Sequence, residues 1–337
     1  LLDALTERLT EQIGGGAVYL LIDPSPDEPP GVQLDPEIAA EYVSGPQKAR
    51  MAAWERRIES LHSADDFPRT ITELEFPYLV RLENTSDPWF ATSIEWAVQE
   101  HLNAVATGKG PYRIGGWLRM HDTDDSDQPL TGRMPSGFER YGAQMSRQLS
   151  KLLHLNKAGQ ARVARLFDRR VLNTLRQGAS LDWPAAVQGM DWHYLDHNFA
   201  LQTLQGQPGE LNENHKLGWN ETHLALISRC QPVSVAQTLL LRSSFPLPDD
   251  TLTRVLDKVK AAEKLGLVYP EDRGAYAAEA LLEPAFETCP QAQQLIKAVV
   301  RLREDLGEVI EIYRDEWVGK PADHWAAHAA PTTQGKA

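Results

Sequence analysis

The seven residues Ala17–Asp23 (AVYLLID) lie between three consecutive glycines, Gly14–Gly16, and the four prolines Pro24, Pro26, Pro29 and Pro30. An apolar run this short, with breakers on both sides, predicts a buried strand rather than a helix or a surface loop. A buried strand must be paired at its edges and covered on its faces, so the first half of the chain needs both a sheet and helices to pack on it.

Further strand candidates are Tyr78–Glu83 (YLVRLE), Tyr112–Met120 around Trp117, and Arg162–Asp168 (RVARLFD). With Ala17–Asp23 they suggest one mixed sheet. Helical spacing appears in Leu2, Leu5, Leu9 and Ile13, a run that stops at the glycines. It recurs in Ile94, Val98, Leu102 and Val105, and again in Phe138, Tyr141, Met145, Leu149 and Leu152. Strands alternating with helices give an α/β amino-terminal lobe over residues 1–190. Strand signals fade after about Asp182, and residues 191–215, rich in Gly, Asn, Gln and Pro, read as an irregular crossing or linker. Residues 216–320 then read as an α-helical carboxyl-terminal lobe, with helices over Glu221–Arg229, Val233–Arg242 and Asp249–Leu265. A long last helix carries Leu295, Val299, Leu302, Leu306, Ile310, Tyr313 and Trp317 on one stripe. Residues 321–337 lack periodicity and read as a disordered tail.

The chain has 47 acidic against 34 basic residues in 337, a formal charge of −13. That balance disfavours nucleic acid and anionic membrane surfaces as partners. Cys230 and Cys289 stand far apart with no C-x-x-C pattern, which fits a reducing compartment better than a disulfide framework. No run of eighteen apolar residues and no basic-then-apolar leader pattern is present, so the expected location is the cytoplasm, without membrane insertion.

Signatures of chemistry are sparse. His193 and His197 (HYLDH) are four apart, a spacing that on a helix would aim both imidazoles at one metal ion, with Asp191 or Asp196 completing the site of a metal-dependent hydrolase. Tyr194 stands where a metalloprotease would carry its glutamate base. Asp122, Asp124, Asp125 and Asp127 resemble a calcium loop, but Asp127 replaces the turn glycine and Arg133 the final glutamate, so a solvated loop is the better reading. No nucleophile elbow and no phosphate-cradling loop occurs, and the triple glycine lacks the dinucleotide register.

The most specific segment is Arg165–Leu172 (RLFDRRVL). It resembles the R-x-(F/Y)-D-P-R-v-l signature of the adaptor family, often called Tap or TEC, with which bacterial type VI secretion systems load effectors onto the VgrG spike. Arg165, Phe167, Asp168, Arg170, Val171 and Leu172 match that pattern, while Arg169 stands at the usual proline and implies a less rigid turn. Tyr19–Asp23 is similar to the family's opening strand, Pro77–Leu82 to its p-y-L-v-r-L strand and Gly116-Trp117-Leu118 to its central G-W-L strand. Weaker similarities fall at Leu265-Gly266-Leu267, Asp272 and Pro284-Ala285-Phe286.

The resemblance implies a non-enzymatic adaptor or chaperone with no cofactor, whose partners are the amino-terminal region of a secreted toxic effector and the VgrG spike. The candidate signature or partner-binding residues are Arg165, Phe167, Asp168, Arg170 and Trp117. For the charged motif itself a structural role is favoured over direct partner contact: Asp168 would pair with Arg165 or Arg170 and satisfy the backbone donors of the following helix. Partner binding would also call for an exposed apolar anchor, for which the nine tryptophans are candidates. An immunity-type inhibitor, acidic and α/β, is a further alternative.

Overall fold

Within Ala17–Asp23, Val18–Ile22 does form a strand, an inner one of the first unit's sheet. A computed structural model of the chain describes residues 2–24, 27–41, 44–56, 58–61, 72–107, 110, 112–121, 136–157, 160–212, 217–248 and 250–315. In chain order the first elements are α1 (Leu2–Ile13), β1 (Val18–Ile22), α2 (Pro36–Ala39), α3 (Gly45–Trp54), β2 (Ile58–Ser60) and β3 (Tyr78–Leu82). Next come α4 (Pro88–Thr107), β4 (Ile114–Met120), α5 (Ser136–Leu153), β5 (His154–Lys157), β6 (Gln160–Val163), α6 (Arg169–Gly178) and α7 (Trp183–Ala186). The strands β7 (Met190–Leu195) and β8 (Leu201–Leu204) are followed only by helices: α8 (Glu221–Ile227), α9 (Cys230–Arg242), α10 (Thr251–Lys264), α11 (Pro270–Leu282), α12 (Pro290–Leu302) and α13 (Leu306–Asp315). The chain divides into two units, Leu1–Ala104 with Gly110–Leu224, and Val105–Lys109 with Ala225–Ala337.

The first unit is α/β. Its six-stranded sheet has the order β2-β3-β1-β4-β7-β8, and each pairing is antiparallel, not mixed as the sequence suggested. β1 is buried at all five positions. Val18, Leu20 and Ile22 join a core with Leu5, Leu9 and Ile13 of α1 and Phe90, Ile94 and Ala97 of α4. On the opposite face, α5 comes so close to Tyr19 that a Cβ at Gly142 would lie 3.4 Å from that ring. Helices on both faces are what such a continuous apolar strand requires.

Three expectations are corrected here. Residues 191–215 are not a linker, because they contain most of β7 and all of β8, the last two strands of the sheet. Arg162–Asp168 is not a strand of that sheet: β6 ends at Val163 in a separate hairpin with β5, and Arg165–Asp168 is a turn. The long last helix is two, α12 and α13, broken where Arg303 caps α12 in the left-handed conformation (φ 59°). Trp317, the residues from 321 onward and the acidic run Asp122–Asp127 lie outside the described residues.

The second unit is helical, as expected. Val233, Ala236 and Leu240 of α9, Val255 and Val259 of α10 and Ala277 and Ala278 of α11 form one core cluster. Phe286, Ile296, Val299, Leu306 and Ile310 form another. No single described helix is long and apolar enough to cross a membrane; the bent pair α8–α9 reaches the length and composition together, but α9 places its apolar residues in this core.

Gly116 is where the sheet most needs a glycine. Its φ is +137°, and a Cβ there would lie 2.3 Å from the His193 carbonyl oxygen of β7. Gly116→Ala is expected to destabilise the protein by about 2 kcal/mol or more, read from denaturant unfolding. Gly15→Ala, where a Cβ would meet nothing within 4 Å, is the control and should change stability little.

Candidate functional site

The segment carrying the resemblance folds as a turn that starts a helix. Asp168 N donates to Arg165 O (2.9 Å), and Leu172 N donates to Asp168 O (3.0 Å), opening α6. Asp168 is extended (φ −80°, ψ 108°) and caps α6, its carboxylate accepting from Arg170 N at 3.0 Å. The same carboxylate is forked by Arg170, at 2.9 Å from Nε and 2.6 Å from Nη2. Arg165 reaches instead to Asp23, at the end of β1, with a 2.6 Å ion pair. Leu166 and Phe167 are buried between these charges, and a Cβ at Gly115 of β4 would lie 2.6 Å from Phe167 O. The turn therefore sits against β4 and is tied to β1.

Arg169, at the position of the family's proline, gives the opposite of a looser turn. Its side chain is buried, donates from Nη2 to Ala97 O of α4 (2.6 Å) and lies 3.8 Å from Glu100. Glu100 in turn accepts from the backbone N–H groups of Arg113 (3.0 Å) and Ile114 (3.4 Å) at the start of β4. The guanidinium groups of Arg169 and Arg170 both lie over the Tyr112 ring, at 4.8 and 4.3 Å from its centroid. The position tolerates proline because it is the first of the helix. Here arginine keeps the helix start and adds a bond to α4.

Burial governs the titration of this cluster. It works against the Asp168 carboxylate, but Arg170 and Arg165 outweigh it and hold the pKa below the ordinary value. Glu100 is pushed up by burial in spite of Arg169 and its two backbone donors. His101 is lowered to about 4 by burial and by Arg169, and His197 to about 3 by burial, His101 and the two arginines. Both imidazoles are therefore neutral near pH 7.

His101, Tyr112, Arg169, Arg170 and His197 line one closely packed recess that leaves no room for a water molecule. Within it His101 meets the His197 backbone, while His197 Nε2 and Arg169 Nη1 are buried with no hydrogen-bond partner among the described residues. The arrangement joins α4, β4 and α6, and presents no activated nucleophile and no space for a substrate.

The structure treats the expected site residues differently. Asp168 and Arg170 pair as the structural reading expected, whereas Arg165 pairs with Asp23. Arg165 and Arg170 keep 48% and 30% of their side chains exposed, so they form the accessible rim. Phe167 is a core residue. So is Trp117, 1% exposed and donating from Nε1 to Ser93 Oγ at 2.8 Å. Seven of the nine tryptophans are described, Trp317 and Trp325 lying outside, and all seven are buried or half-buried, so none is an exposed anchor.

His193 and His197 do not share a helix face. His193 is on β7 with Nδ1 3.0 Å from Thr203 Oγ1, and His197 follows the strand with Nδ1 3.2 Å from Asn173 Nδ2. Residues four apart in extended chain lie roughly 13 Å from each other, too far to ligate one ion together. Asp191 pairs with His121 (3.0 Å), and Asp196 accepts from the backbone of Asn198 and Ala200 as a turn former. Among the described residues no group of three or more His, Cys, Asp or Glu could hold a metal ion.

Glu100, His101, Tyr112 and Arg169 were missed as members of the cluster. The one linear trace of it is that His101 continues the buried face of Ile94, Ala97 and Ala104 on α4, a polar residue at an apolar position.

Removing the Asp168 charge leaves Arg170 without its fork, so Asp168→Asn should cost about 2–4 kcal/mol in denaturant unfolding. His101, His193 (also lowered to about 4, by burial and then Arg119) and His197 bind protons more weakly folded than unfolded. Their contribution is complete above about pH 6.5 and declines as the pH falls from there toward the folded values, because the unfolded chain takes up more protons. The melting temperature should therefore drop between pH 7 and pH 4, and His197→Gln should flatten that slope; a profile equally steep in the variant would contradict the neutral, buried assignment. No family model, curated protein or solved structure matches this chain.

Proposed function

We propose that the chain is a type VI secretion adaptor. It binds the amino-terminal region of a toxic effector in the cytoplasm, keeps that effector stable and docks it on the VgrG spike, with no chemical transformation. The observation that carries this reading is the spatial convergence of the segments that resemble the adaptor family. Tyr19–Asp23, Pro77–Leu82 and Gly116–Leu118, spread over a hundred residues of sequence, fall on the adjacent strands β3, β1 and β4. The Arg165–Leu172 turn then bonds to Asp23 and packs on Gly115, the residue before the third of them. Features similar to one family's marks in order are thus also one physical unit. The formal charge of −13 suits a basic effector or spike segment, through complementary potentials that speed association.

The test is to recover the tagged full chain from its native bacterium and identify what stays bound by mass spectrometry, then map any toxin with truncations. Binding of a toxin through its non-catalytic amino-terminal region, together with the spike protein, is the expected result. A toxin held through its catalytic domain and inactivated would make the protein an inhibitor instead, and recovery of neither toxin nor spike would overturn the adaptor reading.

A further inference from the structure

The helical unit leaves a cavity of about 220 Å³ where its two apolar clusters meet. Ala275, Ala278 and Glu279 of α11, Leu239 of α9 and Ile310 of α13 line it, with Leu282 at the end of α11. Ala275 and Ala278 are too short to fill the gap between the helices, which keeps it open. Protein interiors are packed so closely that hollows larger than a water molecule are few, so a space of this size stands out. α13 is drawn onto α11 at one end of it: Leu306 N donates to Asp272 Oδ1 (2.9 Å), and a Cβ at Gly307 would lie 3.8 Å from Ala275 Cβ. Arg242, Ser243 and Glu311, all exposed, form the mouth.

The walls have two characters. Leu239, Ala278, Leu282 and Ile310 are apolar, and Glu279 puts a buried carboxylate, 3% exposed, among them. The buried face of α11 is otherwise mostly alanine, with Ala275, Ala277, Ala278 and Ala280. A carboxylate is costly to bury in such surroundings and draws donors to itself. It has about four acceptor sites, so the N–H groups of a ligand can join the contacts that the protein already makes with Glu279.

The mouth carries one charge of each sign, Arg242 and Glu311, and these select little between them. The sign is set deeper, by Glu279. α9 ends at Arg242 and α11 at Leu282, so the carbonyl ends of both helices add partial negative charge beside the cavity. Size sets the other limit. An apolar cavity of roughly 150 Å³ holds benzene, so in proportion this one takes roughly nine non-hydrogen atoms. That is room for a compact molecule and not for a peptide segment.

We propose that the space between α9, α11 and α13 binds a small organic cation, an ammonium or guanidinium group on a short apolar body. The cation is held by a charge-assisted hydrogen bond to Glu279, and the body packs against Leu239, Leu282 and Ile310. The assignment rests on the second unit alone and is independent of the adaptor reading.

The test is calorimetric titration of the full chain with three molecules of similar shape: phenethylamine, phenethyl alcohol and phenylacetate. Phenethylamine should bind saturably, about tenfold or more tighter than the alcohol, and phenylacetate should not bind. Glu279→Gln should weaken phenethylamine about tenfold or more and change the alcohol by no more than about twofold. Ser243→Trp, at an exposed position of the mouth, should block the amine and the alcohol alike while leaving Glu279 in place. Melting curves check that each variant is folded, and Ser243→Trp carries the test if Glu279→Gln is not. Absence of saturable amine binding, phenylacetate bound as tightly as the amine, or an amine affinity unchanged in either folded variant would overturn the assignment.

Discussion

A carboxylate buried where a helix begins stays ionised only if donors surround it. Asp168 meets that condition through the Arg170 backbone N–H and the Arg170 fork, and much of the first unit is arranged around the result. Because α6 starts there, Arg169 is directed to the Ala97 carbonyl and Glu100, and Glu100 to the backbone of Arg113 and Ile114. One capped turn thereby joins α4, β4 and α6. A few residues before it, Arg165 closes on Asp23 and fixes the end of the central strand.

The same solution, a buried cation shared among acceptors, appears on another part of the first unit. Arg50 is fully buried, donates to Glu28 (3.0 Å) and to the carbonyls of Glu73 and Leu74, and lies over the Tyr78 ring. Arginine suits both places because its planar fork can serve several acceptors while its face stacks on an aromatic ring. The second unit depends more on apolar packing, with polar links at its joints: Asp272 accepts from Leu306 N (2.9 Å) where α13 begins, and Glu287 receives Tyr276 (2.9 Å) and Lys258.

This division bears on function. The first unit directs most of its signature inward: Phe167, Asp168, Arg169, Leu172 and Trp117 are buried, while Arg165, Arg170 and Val171 reach its surface. The motif therefore acts mainly by holding the sheet, α4 and α6 in register. The charges that its rim offers a partner are those of two arginines already engaged by Asp23 and Asp168. The larger exposed apolar surface among the described residues is on the helical unit.

The pattern of the chain alone determined the two-part architecture. β1, β3 and β4 were legible because each is an apolar run between breakers, and α5, α9 and α10 because their apolar residues recur at helical spacing. β7 and β8 were not, since Asp191, His193, Gln202 and Thr203 interrupt the apolar pattern. They are compatible with a sheet only because His121, Thr203 and Arg176 partner Asp191, His193 and Gln202. On α4, Leu102 looked like core and is exposed, because Glu100 and His101 turn inward to reach β4 and Tyr112. Local pattern thus determined the strands made of uninterrupted apolar runs and the helices with regular apolar spacing. Tertiary structure decided the antiparallel pairing, the identity of the buried polar residues and the direction of the charged motif, because a buried charge or imidazole is tolerated only beside partners distant in the chain.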